Sequence, residues 1–204
     1  MFLFLRHGQA KNNVERVLAG RAKGYPLTDL GIKQANNIAE FLKPFNISAI
    51  YSSPVERAEQ TASIVAKKLE LVYNIDERLT EINMGSLSGM SYDEMFARHG
   101  NIFLKFYEGH EVIEQNGIET FSSIKKRVID LVEHCSQKHT DKNMLFVTHM
   151  DPIKSMLSTV MQLKPESLYE LIIRNASITM FKKEQSGLSI VSINSMCPER
   201  YLQE

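Results

Sequence analysis

Apolar positions along this chain change period from segment to segment, and each period predicts an element. Phe2 to Leu5 is an unbroken apolar run of strand length, running into a polar, glycine-punctuated stretch from Gly8 to Gly24. A run this short reads as a strand buried on both faces. Ile32, Ala35, Ile38, Ala39 and Leu42 then recur at helical spacing, and Pro44 closes that helix. Ala49-Ile50-Tyr51 is a second short strand, leading to Ser52 and Ser53. The next helix carries its apolar stripe at Val55, Ala58, Ala62, Val65 and Leu69. Ser53 is predicted to cap it, with Pro54 in the first turn and Glu56 completing a capping box.

From Arg78 to Gly117 the periodicity weakens. Gly85, Gly89, Gly100 and Gly109 interrupt it, and six of the 17 aromatic residues cluster between Tyr92 and Phe121, which predicts a lid-like insertion at about 85–120. Ile124, Val128, Leu131 and Cys135 restore a helical stripe. Met144 to Thr148 reads as a buried strand ending at His149. Asp151 and Pro152 look like the cap and first turn of a further helix, striped by Ile153, Leu157 and Val160. Ser177 to Lys182 and Leu188 to Ile193 form a predicted hairpin about Ser186-Gly187. No repeat, low-complexity segment or linker interrupts residues 1–204, so one domain is expected.

Strands alternating with helices predict an α/β fold, a three-layer α/β/α sandwich with a mostly parallel central sheet. Chemistry in such sheets gathers at the carboxyl edge of the strands. Three predicted strand ends carry unusual polar residues: Arg6-His7, Ser52-Ser53 leading to Arg57, and Thr148-His149. A parallel sheet brings all three to one rim.

Composition narrows the partners. Twenty-four basic residues balance 24 acidic ones, so neither nucleic acid nor an anionic membrane is the expected main partner. Cys135 and Cys197 are too few for a disulfide framework and lack metal-ligand spacing, which makes a reducing cytoplasm the expected location. Met1 to Leu5 is too short, and too soon followed by Arg6 and His7, to be a signal-peptide core. No apolar run approaches the roughly 20 residues a bilayer-spanning helix needs.

Two arginines and two histidines at one rim suit a phosphoryl group. Guanidinium forks match its oxygens and stay charged, and nearby helix N-termini add N–H donors. A neutral imidazole can attack phosphorus if its other ring nitrogen donates to a fixed acceptor. A carboxyl group is still needed to protonate the departing alkoxide and later to activate water. Against this stands the plainer reading, in which a histidine after a strand is a structural hydrogen-bonder and the arginines are solvated.

The motifs decide between them. Leu5-Arg6-His7-Gly8-Gln9 with Asn13, then Pro26-Leu27-Thr28, Gly31 and Gln34-Ala35, resembles the opening signature of the histidine phosphatase superfamily, the phosphoglycerate mutase-like proteins. Ser52-Ser53-Pro54, Arg57-Ala58 and Gln60-Thr61-Ala62 is similar to that family's second arginine motif. Leu79, Glu81, Gly85 and Gly89 resemble the segment bearing its acid, and Gly117, Glu119, Phe121 and Arg127 its later helix. Phe146-Val147-Thr148-His149 resembles the strand ending in its second histidine.

The resemblance implies a phosphoglycerate mutase-like fold and a role for each matched position. His7 is the implied nucleophile; Arg6, Arg57 and His149 form the implied phosphate pocket, and Asn13 is a further polar contact. Glu81 is the implied proton donor and then base, an assignment the family match alone makes among 24 acidic residues. Arg21 is a further candidate for the phosphate or for another acidic group of the substrate. No metal is implied, because the arginines supply the charge. Two positions depart from the family pattern: Ala10 where threonine or serine is usual, and Met150 where glycine is usual.

The expected activity is that of a metal-independent phosphatase acting on a small phosphorylated metabolite through phosphohistidine, with no cofactor. The alternative is a phosphoglycerate mutase primed by 2,3-bisphosphoglycerate. Glu81-Ile82-Asn83-Met84 stands where the better-known mutases carry a glutamate-arginine-histidine-tyrosine run, which favours hydrolysis. A second alternative is a non-catalytic phosphate-binding or scaffolding module. A homodimer is compatible with this reading, but pattern alone does not tell an exposed apolar stripe from core. His99, His110, His134 and His139 are expected at the surface, and Cys135 packed. Tyr92, Phe96, Phe103, Phe106 and Tyr107 suit either a pocket lining or the core of the lid.

Overall fold

Hydrophobic runs and stripes become strands and helices in the expected order in the computed structural model of the protein, which describes residues 1–110, 117–139, 142–185 and 187–196. The first half holds β1 (Phe2–Arg6), α1 (Lys11–Glu15), α2 (Asp29–Leu42), β2 (Ile47–Ser52), α3 (Glu56–Leu69) and β3 (Tyr73–Ile75). Then come α4 (Tyr92–His99), α5 (Ile102–Tyr107), α6 (Phe121–Lys138), β4 (Asn143–Thr148) and α7 (Met150–Met161). The chain finishes with α8 (Pro165–Glu170), β5 (Ile178–Glu184) and β6 (Gly187–Ser195).

The strands form one six-stranded sheet in the order β3-β2-β4-β1-β5-β6. The first four are parallel, and β5 and β6 add an antiparallel hairpin at one edge. Ser186, predicted in its turn, lies outside the described residues, as does Cys197. Successive residues of the buried strands face opposite sides, as strand geometry demands. Phe2 and Phe4 of β1 and Phe146 of β4 pack with Ile124, Val128 and Leu131 of α6 and Ile153 and Leu157 of α7. Leu3, Leu5, Leu145 and Val147 face the other way, onto Ile38 and Leu42 of α2 and Ala58, Ala62 and Val65 of α3. These are the three layers. Cys135 sits buried on its predicted stripe. No helix among the described residues is long and apolar enough to cross a membrane.

Two helix starts differ from expectation. Val55, not Ser53, is the N-cap of α3, with no side-chain cap. His149, not Asp151, is the N-cap of α7, so Asp151 and Pro152 lie inside its first turn. Both side chains gain distant partners: Ser53 Oγ accepts from the Val55 N–H and also contacts His149, and Asp151 accepts from the Tyr107 hydroxyl.

The loop after β1 is held by a close backbone crossing. A Cβ built on Gly31 would lie 2.0 Å from the Gln9 carbonyl oxygen, and one on Gly8 would lie 2.5 Å from the Gly31 oxygen. Thr28 caps α2 by accepting from the Gly31 N–H, which fixes the approach. Gly31→Ala should therefore cost about 1–3 kcal/mol through overpacking against backbone that cannot yield. Urea unfolding with an unchanged m value and a lowered midpoint checks it.

Candidate active site

The sheet register builds the site. Arg6 pairs with Thr148 and Ser52 with Val147, so β1, β2 and β4 end level with one another. The His7 N–H donates to the Thr148 carbonyl at 3.0 Å and the Ser53 N–H to the Val147 carbonyl at 3.0 Å, carrying this register one residue past the strands. Arg6, His7, Ser53 and His149 thus meet at one rim, with Arg57 delivered from the first turn of α3.

His7 is buried, and its two ring nitrogens have different partners. Nδ1 lies 2.7 Å from the Gly8 carbonyl oxygen, so it carries the proton and donates. Nε2 receives the Arg57 Nε–H at 3.1 Å and so carries the lone pair. Burial, then Arg57 and Arg6, hold the imidazole pKa well below its ordinary value, with the Gly8 carbonyl opposing weakly. The ring is neutral and nucleophilic at Nε2.

Arg57 is only 2% exposed. Its Nη2 donates to the Gly20 carbonyl at 2.9 Å, but Nη1 is buried with no partner. Burial pushes its pKa down to about 10, which still leaves it charged at neutral pH. Arg6 donates through Nη1 to the Ile173 carbonyl, and its Nε is likewise buried and unpartnered.

His149 lies beside them, its ring centroid 5.1 Å from that of His7. Its Nε2 is 2.9 Å from the Ser53 hydroxyl. Ser53 Oγ accepts from the Val55 N–H, and among the described residues its own proton has no acceptor but His149 Nε2, so the hydroxyl donates to Nε2 and the ring proton falls on Nδ1. That Nδ1 is buried and unpartnered too. Burial and then Arg57 push the His149 pKa well down. The ring is therefore neutral until an anion arrives, and its Nδ1–H is an idle donor. Ser53, which pattern reading assigned to a helix cap, orients this histidine.

Glu81 reaches the rim from a loop. The Thr148 hydroxyl donates to the Leu79 carbonyl at 2.6 Å, pinning that loop against β4. Arg21 Nε donates to the Glu81 carbonyl at 2.9 Å and Arg127 Nη2 at 3.4 Å. Both guanidiniums are also tied to the Glu119 carboxylate, at 2.7 Å from Arg21 Nη2 and 2.9 Å from Arg127 Nε. Arg21 therefore steadies the backbone of Glu81. It does not line the cavity at the rim but faces a separate outer groove. Burial, then the charge of Asp151, raises the Glu81 pKa to about 7, against the pull of Arg57 and Arg6.

A cavity of about 50 Å³ lies over the rim, lined by Arg6, His7, Arg57, Glu81 and Asp151 among others. Asn13 also lines it, but its Oδ1 accepts from the Ala10 N–H at 2.9 Å and from Asn175 Nδ2 at 3.2 Å. Ala10, lacking a hydroxyl, leaves the start of α1 to that Asn13 contact. Neighbouring Asn12 presents a buried Oδ1 without a partner, a feature no motif pointed to. Tyr92, Phe103, Met84 and Met150 are among the side chains lining it, so the position where the family usually carries glycine sets a methionine against the cavity. The aromatics of this segment of the chain, 92–107, divide: Tyr92 and Phe103 line the cavity, Phe106 and Tyr107 are core, and Phe96 is exposed. His99, His110 and His134 are exposed as expected, whereas His139 is half-buried with its Nε2 2.9 Å from the Tyr51 hydroxyl. Among the described residues no three His, Cys, Asp or Glu side chains gather where they could hold a metal ion.

Known proteins share this arrangement of elements. The chain is 33% identical over 198 residues to the 2,3-bisphosphoglycerate-dependent phosphoglycerate mutase of Thermoplasma acidophilum, covering 95% of this chain and 92% of that one. It is 26% identical over 198 residues to phosphoserine phosphatase 1 of Hydrogenobacter thermophilus, covering 96% and 92%. The solved structure of YhfR from Bacillus stearothermophilus superimposes with a TM-score of 0.86 at 26% identity, over 96% of this chain and 98% of that one. The model of the histidine phosphatase superfamily (branch 1) matches residues 2–196, and the chain belongs to that superfamily.

Proposed function

We propose that the protein is a metal-independent phosphatase that hydrolyses a small phosphomonoester through a phosphohistidine on His7. The carrying observation is the set of buried, unpartnered donors on the residues that meet at the rim with His7: Arg57 Nη1, Arg6 Nε and His149 Nδ1. A desolvated donor without a partner costs free energy, and a phosphoryl group offers acceptors for all three.

His7 Nε2 attacks phosphorus, and the bond from phosphorus to the leaving oxygen breaks. The two guanidiniums and the His149 N–H stabilise the charge spread over the equatorial oxygens. The leaving oxygen takes the proton of Glu81 and departs as an alcohol. Water then attacks the phosphohistidine and gives its proton to the Glu81 carboxylate. The P–N bond breaks, phosphate leaves and His7 is restored.

Mutase chemistry is the second reading, since the Thermoplasma relative carries that name. A bisphosphoglycerate primer brings two phosphates and a carboxylate. Beyond the cradle, the described cavity lining is mostly apolar, with Asn12, Asn13 and Tyr92 as its neutral polar side chains and Asp151 as a further carboxyl. That lining supplies no second cationic cradle and does not fit the primer, which supports hydrolysis.

Phosphate release from a panel of phosphomonoesters, with excess chelator, tests the proposal. The panel includes p-nitrophenyl phosphate and 3-phosphoglycerate, with 2-phosphoglycerate followed in parallel. Chelator-resistant release is the expected result. Isomer without free phosphate would favour the mutase, and neither product from folded protein would favour a binding module.

A further inference from the structure

Glu81 presents its carboxyl to the start of α7, a 12-residue helix. Its Oε1 lies 3.1 Å from the Ile82 N and 3.4 Å from the Asp151 N. A helix N-terminus and two nearby guanidiniums favour the ionised carboxylate. A proton donor needs the opposite. The first turn of the same helix supplies a counterweight in Asp151, which is 4% exposed and lines the cavity. Two carboxyls lining one dry cavity do not both ionise readily, so one of them keeps a proton.

Partners decide which carboxyl keeps it. The Tyr107 hydroxyl donates to Asp151 Oδ1 at 2.7 Å. Behind it, Lys154 Nζ donates to the Tyr107 oxygen at 3.1 Å and lies 4.7 Å from the ring centroid. Tyr107 and Lys154 are both buried, and the phosphoryl-transfer steps use neither. Burying a lysine and a tyrosine hydroxyl is costly, and this chain of donors points one way, at Asp151.

Resting on the phosphatase reading above, we propose that Asp151 is a positioning residue for Glu81. Its carboxylate, fixed by Tyr107 and backed by Lys154, keeps the negative charge of the pair and leaves the proton on Glu81, where the leaving oxygen needs it. The other charged and titratable groups facing the pair are Arg6 and His7 from β1 and its end, Arg57 from α3, and Tyr92 from α4. Arg127 of α6 and Arg21 hold the Glu81 carbonyl, and His149 caps α7. None of these supplies the negative charge that Asp151 does.

The test is the pH profile of kcat/KM on an alkyl phosphomonoester, whose alkoxide needs the proton, beside p-nitrophenyl phosphate, whose leaving group does not. In Asp151→Asn the basic limb should fall by about one pH unit on the alkyl substrate, with a smaller effect on the aryl one. Tyr107→Phe should move it the same way by less. Asp151→Asn leaves Lys154 buried without a counter-charge, so the double variant Asp151→Asn/Lys154→Met removes both charges and should still show the lower limb. Carbon-13 titration of the Glu81 carboxyl reads the same downward shift without turnover. A uniform loss at all pH values, with the limb and the Glu81 titration unmoved, would overturn the inference while leaving the phosphatase standing. Wild-type protein without His7-dependent phosphate release would instead sink the phosphatase reading itself.

Discussion

His7→Ala should lower chelator-resistant phosphate release by at least about 10⁴-fold, because no other group can take its place. The only other imidazole at the rim, His149, has its Nε2 committed to Ser53 and presents Nδ1 as a donor. Lone pairs on the other described side chains of the cavity belong to carboxyl, amide and phenol oxygens and to the Met84 and Met150 thioethers, which are poorer nucleophiles toward phosphorus under these conditions. The covalent step gives a second readout. Rapid quench with labelled substrate should trap an acid-labile, base-stable phosphoenzyme in the wild type and none in the variant. Circular dichroism of the variant separates this loss from misfolding. A variant that keeps its rate would overturn the covalent mechanism, whatever the substrate.

The second large effect belongs to Arg57. Arg57→Ala removes the idle Nη1 donor and a buried positive charge, and should lower kcat/KM by about 10²–10³-fold. It should also change the acid limb. Arg57 is one of the groups that hold His7 and His149 below their ordinary pKa values. Without it both imidazoles bind protons more readily, and a protonated His7 cannot attack. The acid limb therefore moves to higher pH. Arg57→Lys keeps a charge but cannot span His7 Nε2 and the Gly20 carbonyl with one planar fork. It should leave the limb near its wild-type position while most of the rate is lost. The two variants together separate the charge from the geometry.

Much of the fold is legible along the chain because hydrophobic periodicity is a local quantity. Phe2–Leu5 and Met144–Val147 are apolar at every position, which only a strand covered on both faces requires, and both lie at the centre of the sheet. The stripes of α2, α3 and α6 face the core where their spacing says they should, except that Ile32, the first position of the α2 stripe, is exposed. Pattern failed at the helix starts. Ser53 and Asp151 are good capping residues in isolation, but each makes a stronger contact with a group far away in sequence, His149 and Tyr107. Arg21, a candidate for the phosphate or another acidic group of the substrate, has its guanidinium closed on the Glu81 carbonyl and the Glu119 carboxylate.

What the sequence alone determined is the meeting of Arg6, His7, Arg57 and His149, because parallel strands of matched length must end at one rim. The covering of that rim was decided only by tertiary structure. The segment from about residue 85 to 120 has weak periodicity, and its Tyr107 finds partners 44 or 47 residues away, in Asp151 and Lys154. Burial, tautomers and idle donors follow from that packing. Each depends on how much water several distant segments exclude together, a quantity no stretch of the chain carries by itself.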